Sequence, residues 1–113
     1  MNPEEFIILG EALIDDDSYD LEARRRTAIG RIYYGLLHYI RLVKQLTYID
    51  TEHLHTDLID KINDLDTTLG TMLVNMKEFR TIADYYLNKK PDLNSFLKIH
   101  KRIIKRLDIT DVA

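Results

Sequence analysis

The chain has 113 residues, of which 45% are hydrophobic and 31% charged, with no cysteine and a net charge of −3 at pH 7. That balance suits one domain with an apolar core and excludes a disordered chain, and the slightly acidic total excludes a uniformly basic nucleic-acid binder. Without cysteine there are no disulfides, no thiolate zinc sites and no cysteine nucleophile, which fits a reducing compartment.

The 3.6-residue apolar periodicity runs throughout and strand signals are lacking. The expected fold is all-α: an up-and-down bundle of four to five helices forming a single domain over residues 1–113. The first helix is predicted over Asn2–Ile14, with Asn2 as cap and Pro3 at the first helical position. The acidic run DDDSYD connects it to a second helix over Leu21–Thr47, capped by Asp20. A third is predicted over Glu52–Leu65 with Thr51 as cap. A fourth follows over Asp66–Asn88, and the two could form one kinked helix. It stops before Lys90-Pro91, because the residue before a proline disfavours helix. The fifth is predicted over Leu93–Leu107 with Asp92 as cap. Glu4 and Glu5 interrupt the N-terminal region, so no signal peptide is expected. The apolar runs are too short for a bilayer. A cytoplasmic protein without membrane contact is the expectation.

Charge is segregated along the chain. Acids crowd residues 4–20, while Arg24, Arg25, Arg26, Arg31, Arg41 and Lys44 crowd the second helix. Lys98, Lys101, Arg102, Lys105 and Arg106 crowd the fifth. Local basic patches can bind phosphate on an acidic protein, or acidic and basic faces can neutralise each other within one bundle.

On the second helix, Ile29, Ile32, Tyr33, Leu36, Ile40 and Val43 share an apolar face at ~100° per residue. Opposite run Arg24, Thr27, Arg31, Tyr34, His38, Arg41 and Gln45. Arg31 and His38 fall ~20° apart in azimuth and ~10 Å apart along the axis. Gly35 between them costs ~1 kcal/mol against alanine and is tolerated where a ligand or another helix comes close. The stripe holds no acid. Arginine offers a fixed fork of donors for phosphate, and histidine exchanges a proton near neutral pH. It reads either as a phosphate site or as a solvated or dimer-forming face.

The fourth helix carries the apolar stripe Leu69, Met72, Leu73, Met76, Phe79, Ala83 and Leu87. Arg80 falls inside it, with Asp84 one turn on as the obvious partner and Tyr85 following. A charge there must be paired or reach water. The pair reads either as a structural ion pair or as an arginine held at a phosphate-binding cleft. Met72 and Met76 read as core filler. His53 and His55 point to different sides of a helix. Neither they nor His100 have a metal-like arrangement, so no metal and no cofactor is expected.

The run R-I-Y-Y-G-L-L-H, Arg31 to His38, resembles the R-x-Y-Y-x-x-x-H signature of prokaryotic HEPN domains. The later run R-T-I-A-D-Y, Arg80 to Tyr85, resembles the family's second signature, R-x-x-A-D-Y. The T-E-H-L-H stretch is similar to the start of the intervening helix. The resemblance implies a small helical bundle that forms homodimers, often partnered by a minimal nucleotidyltransferase in toxin–antitoxin or defence systems. Many relatives are metal-independent RNases with an R-x4-6-H motif. By that resemblance Arg31 and His38 are the candidate catalytic pair. The family's usual catalytic histidine falls on the later helix, where this chain has Tyr85, a poor proton shuttle at neutral pH. The first expected function is therefore nucleotide or RNA binding in a toxin–antitoxin or nucleotidyltransferase-linked pair. The candidate phosphate-binding residues are Arg24, Arg31, Tyr34, His38, Arg41, Arg80, Asp84 and Tyr85. A non-catalytic interaction or dimerisation module comes second, and a metal-independent RNase third.

Overall fold

The computed structural model describes residues 2–46 and 54–108. They form the expected all-α bundle of five helices: α1 (Glu4–Ile14), α2 (Leu21–Val43), α3 (Leu54–Leu65), α4 (Thr67–Tyr85) and α5 (Leu93–Leu107). No strand occurs among these residues.

Three helices start on an aspartate that accepts a first-turn amide. Asp20 takes Ala23 N–H at 3.0 Å, Asp66 takes Leu69 N–H at 3.1 Å, and Asp92 takes Ser95 N–H at 3.1 Å. Each meets a donor that the helix itself leaves unpaired. Asp66 is extended, at φ −152° and ψ 97°. That conformation breaks the backbone between α3 and α4, so they are two helices rather than one kinked one. Gly70 lets α4 fold back on α3, since a Cβ there would stand 2.6 Å from Asn63 Cα.

Some ends differ from expectation. Pro3, not Asn2, occupies the N-cap of α1, and no side chain caps that helix. Helix α2 closes at Val43. Gln45 adopts φ 55°, and Leu46 and Gln45 donate to the carbonyls of Arg41 and Leu42 at 2.9 and 3.1 Å, a Schellman ending. The predicted stop at Thr47, the Thr51 cap, the Glu52 start and His53 lie outside the described residues. Helix α4 ends at Tyr85 instead of Asn88, leaving Leu87 75% exposed. Val43, read as core, is 52% exposed, whereas Leu37 is fully buried.

The core is built around α2, which packs against each of the other four helices. Ile29, Ile32, Tyr33, Leu36, Leu37 and Ile40 are all at 0% exposure. The close neighbour of Gly35 is a helix. A Cβ there would meet Ile7 Cγ1 at 2.6 Å and the Pro3 carbonyl at 2.9 Å; one on Gly10 would meet Ile32 Cγ1 at 2.6 Å and Ala28 O at 3.0 Å. The two glycines thus let α1 lie antiparallel against α2 at backbone distance. Helix α5 is tied on by three contacts. Phe96 meets Phe79 edge-on at 6.0 Å between ring centroids. Arg106 grips Asp66 through two bonds of 2.8 and 2.9 Å, which hold that carboxyl below its ordinary range. His100 Nε2 lies 2.7 Å from Glu11 Oε1 on α1.

Candidate functional site

Helices α2 and α4 part at one end of their seam to leave a cleft of about 370 Å³. Arg26, Thr27, Gly30, Arg31 and Tyr34 form its α2 side, Arg80, Ala83 and Asp84 its α4 side, and Tyr33 lines it from the core. A Cβ on Gly30 would stand in ordinary contact with the opposing carboxylate, 3.4 Å from Asp84 Oδ1. Arg80 Nε donates to Asp84 Oδ2 at 2.9 Å, and the Tyr85 ring lies 5.4 Å from the guanidinium carbon. The Arg80 and Asp84 side chains keep 25% and 35% exposure. The ion pair is therefore not sealed in the core stripe. It stands on the cleft wall, because α2 ends its close approach at Gly30 and leaves the guanidinium open to solvent.

Arg31 is exposed and makes no hydrogen bond or ion pair among the described residues. Tyr33 is fully buried. Burial pushes its phenol well above the ordinary value, and the Arg80 charge only partly pulls it back. It therefore carries its proton at all working pH values and is not a base. The cleft thus presents Arg31 and Arg80 from facing helices, beside an already bonded Arg26, with one carboxylate and a protonated phenol. Such a set holds an anion.

Other members of the predicted stripe are spent elsewhere. Arg24 clamps the α1–α2 connection, donating to Asp16 O at 2.7 Å and Asp17 Oδ1 at 3.3 Å. Thr27 bonds back to Ala23 O at 2.8 Å. His38 is 5% exposed, so the reading that set it on an open polar line is corrected. Its ring packs 4.4 Å from Tyr34, and its Nδ1 accepts from Arg41 Nε at 3.2 Å. Helix α1 approaches this side of α2 closely at Gly35. Tyr34, still 37% exposed, also meets Phe6 of α1 edge-on at 4.9 Å. Arg31 and His38 do not share one site: His38 lies outside the cleft lining.

The sequence reading missed Arg26, which is 8% exposed. Its guanidinium donates to Glu22 and to the carbonyls of Ile82, Ala83, Tyr86 and Leu87 at 3.0–3.4 Å, and also to Lys89 O. These carbonyls end α4 and the turn after it; those of Ile82 and Tyr86 also accept the amides of Tyr86 and Lys89, and a cation suits a helix C-terminus. The signal was present: Arg26, Ile29, Tyr33, Leu36 and Ile40 lie on one stripe, so Arg26 is misplaced in the same sense as Arg80. The buried His100–Glu11 pair was also missed, since it joins helices remote in sequence.

No cluster of three or more potential metal ligands occurs among the described residues. No helix among them is long and apolar enough to cross a membrane. The site and fold together define a small five-helix bundle with a cationic cleft between α2 and α4. Compared with family models, curated proteins and solved structures, the chain matches none.

Proposed function

We propose that this chain is a nucleotide- or RNA-binding protein of the HEPN type, with the α2–α4 cleft holding a phosphate group. One observation carries the reading. Arg31 and Arg80, each the first residue of a family-like motif and far apart in sequence, border the same cleft. Arg31 brings an unspent charge, and Arg80 keeps its carboxylate partner while leaving part of its fork toward solvent. Binding is favoured over cleavage because the candidate histidine lies away from the cleft and already accepts a bond from Arg41. By the same resemblance we place the protein in a toxin–antitoxin or nucleotidyltransferase-linked pair, acting as a homodimer. A non-catalytic interaction module is the second reading, favoured by Tyr85, Tyr86 and Leu87, exposed at 66%, 48% and 75% where α4 ends.

Calorimetric titration with ATP, and separately with a short single-stranded RNA, tests the reading. Arg31→Ala should weaken binding about tenfold or more, the equivalent of losing a charge-assisted hydrogen bond. Its melting curve should match the parent, since Arg31 contributes nothing to the core. If neither ligand titrates at low salt, or if Arg31→Ala binds like the parent, the cleft is not a phosphate site.

A further inference from the structure

Helix α5, LNSFLKIHKRIIKRL, contains no acidic residue. Its apolar side chains face the bundle: Phe96 and Ile103 are fully buried, and Leu97, Ile99, Ile104 and Leu107 pack partly against the core. The opposite side carries Lys98, Lys101, Arg102 and Lys105, all exposed. At ~100° per residue they occupy an arc of ~100° and extend ~10 Å along the axis.

The sequence left open whether acidic segments neutralise this stripe, and in the fold no close ion pair among the described residues engages its four cations. Of the lysines and arginines on α5, Arg106 alone enters an ion pair among the described residues, with Asp66. Glu11 and Asp15 line a groove with Lys101 and Lys105, yet no ion pair closes across it. Solvated helix faces ordinarily mix signs, and four cations in one short line repel each other unless an anion lies over them. A helix seated in a lipid interface would project apolar side chains beside the charges, but no large hydrophobic residue on α5 is exposed.

We propose that the α5 stripe binds the phosphate backbone of a nucleic-acid strand. Its length spans about three phosphates at the ~3.4 Å per-strand spacing of a duplex, so it suits a polyanion rather than a single nucleotide. None of its four residues lines the α2–α4 cleft, so the two sites are separable.

The full chain would be titrated with a fluorescent oligouridylate over a series of salt concentrations, in parallel with the K98Q/K101Q/R102Q/K105Q variant and with R31A. In the parent, log K should fall linearly with log salt. The quadruple variant should lose about two units of that slope, at ~0.7 for each of about three phosphate contacts, and at least about tenfold in affinity at the lowest salt. R31A should lose no more than about one unit of slope. The four positions are exposed, so helicity and melting should match the parent; the single R102E variant, with a smaller loss in the same direction, is the check should the quadruple variant misfold. An unchanged slope and affinity in both α5 variants would overturn the proposal. So would a parent that sediments with phosphatidylserine vesicles but does not bind the oligouridylate. Failure of ATP to bind the cleft would leave these readouts intact, and so would strike the cleft alone.

Discussion

Arg26 and Arg31 stand five residues apart on α2, beside the same neighbour α4, and they meet opposite fates. Both line the α2–α4 cleft, but Arg26 is fully bonded. Its guanidinium reaches the carbonyls that end α4 together with Glu22, and 8% of the residue sees solvent. Arg31 borders the same cleft and has no bonded partner among the described residues. The two residues have the same charge and the same donors. What differs is the supply of acceptors: a helix C-terminus offers a ring of unpaired carbonyls, whereas the body of a helix has already used its own. An arginine at a helix end becomes part of the architecture, and one beside a helix body stays available to a ligand.

The strongest way to break this comparison is Arg26→Ala. It should destabilise the protein by about 3 kcal/mol, because it removes several charge-assisted bonds at once and leaves the buried Ala83 carbonyl without that donor. Arg26→Lys should recover little of the loss, since an ammonium does not reproduce the planar fork. Chemical denaturation measures both, and a loss below about 1 kcal/mol for the alanine variant would mean that water replaces the clamp. Next in size is Gly35→Ala. Its Cβ would press on the Pro3 carbonyl and the Ile7 amide, at 2.9 and 3.0 Å. Backbone must then move, and a cost of about 2 kcal/mol is expected in the same assay.

A smaller effect comes from His100, another buried group with its partner already in place. Desolvation lowers its pKa from the ordinary 6.5, outweighing the pull of Glu11, and its Nδ1 is buried without an acceptor that a second proton would need. Because the folded-state value is the lower one, the unfolded chain takes up the proton first as pH falls. The contribution to stability is complete above about pH 6.5 and is lost as pH falls through the folded-state value, at no more than about 1.4 kcal/mol per pH unit. Melting curves of the parent and of His100→Asn should converge on acidification below pH 6.5; parallel curves would contradict the assignment. The smallest stability effect belongs to Arg80→Ala. A pair with 25% and 35% exposure should cost about 1 kcal/mol or less, well short of the several kcal/mol of a sealed pair. The same variant should lose phosphate binding. A large melting shift with intact binding would place Arg80 with Arg26 rather than with Arg31.

The sequence by itself determined the local structure. Asp20 and Asp92 were readable as caps because capping needs only a short acceptor three residues ahead of an amide. The apolar period was enough to place five helices, and the Arg80–Asp84 pair follows from one turn of helix. Tertiary structure alone decided which polar residues remained available. The line from Arg24 to Gln45 is a single stripe on an isolated helix, but in the packed bundle α1 meets it at Tyr34, His38 is buried and Arg31 stays exposed. Helical spacing fixes direction around one axis, whereas exposure depends on which neighbour arrives and how near it comes. The carbonyls that hold Arg26 lie more than fifty residues along the chain, and the Glu11 partner of His100 nearly ninety. No local pattern encodes such pairings, because they exist only once the helices have packed.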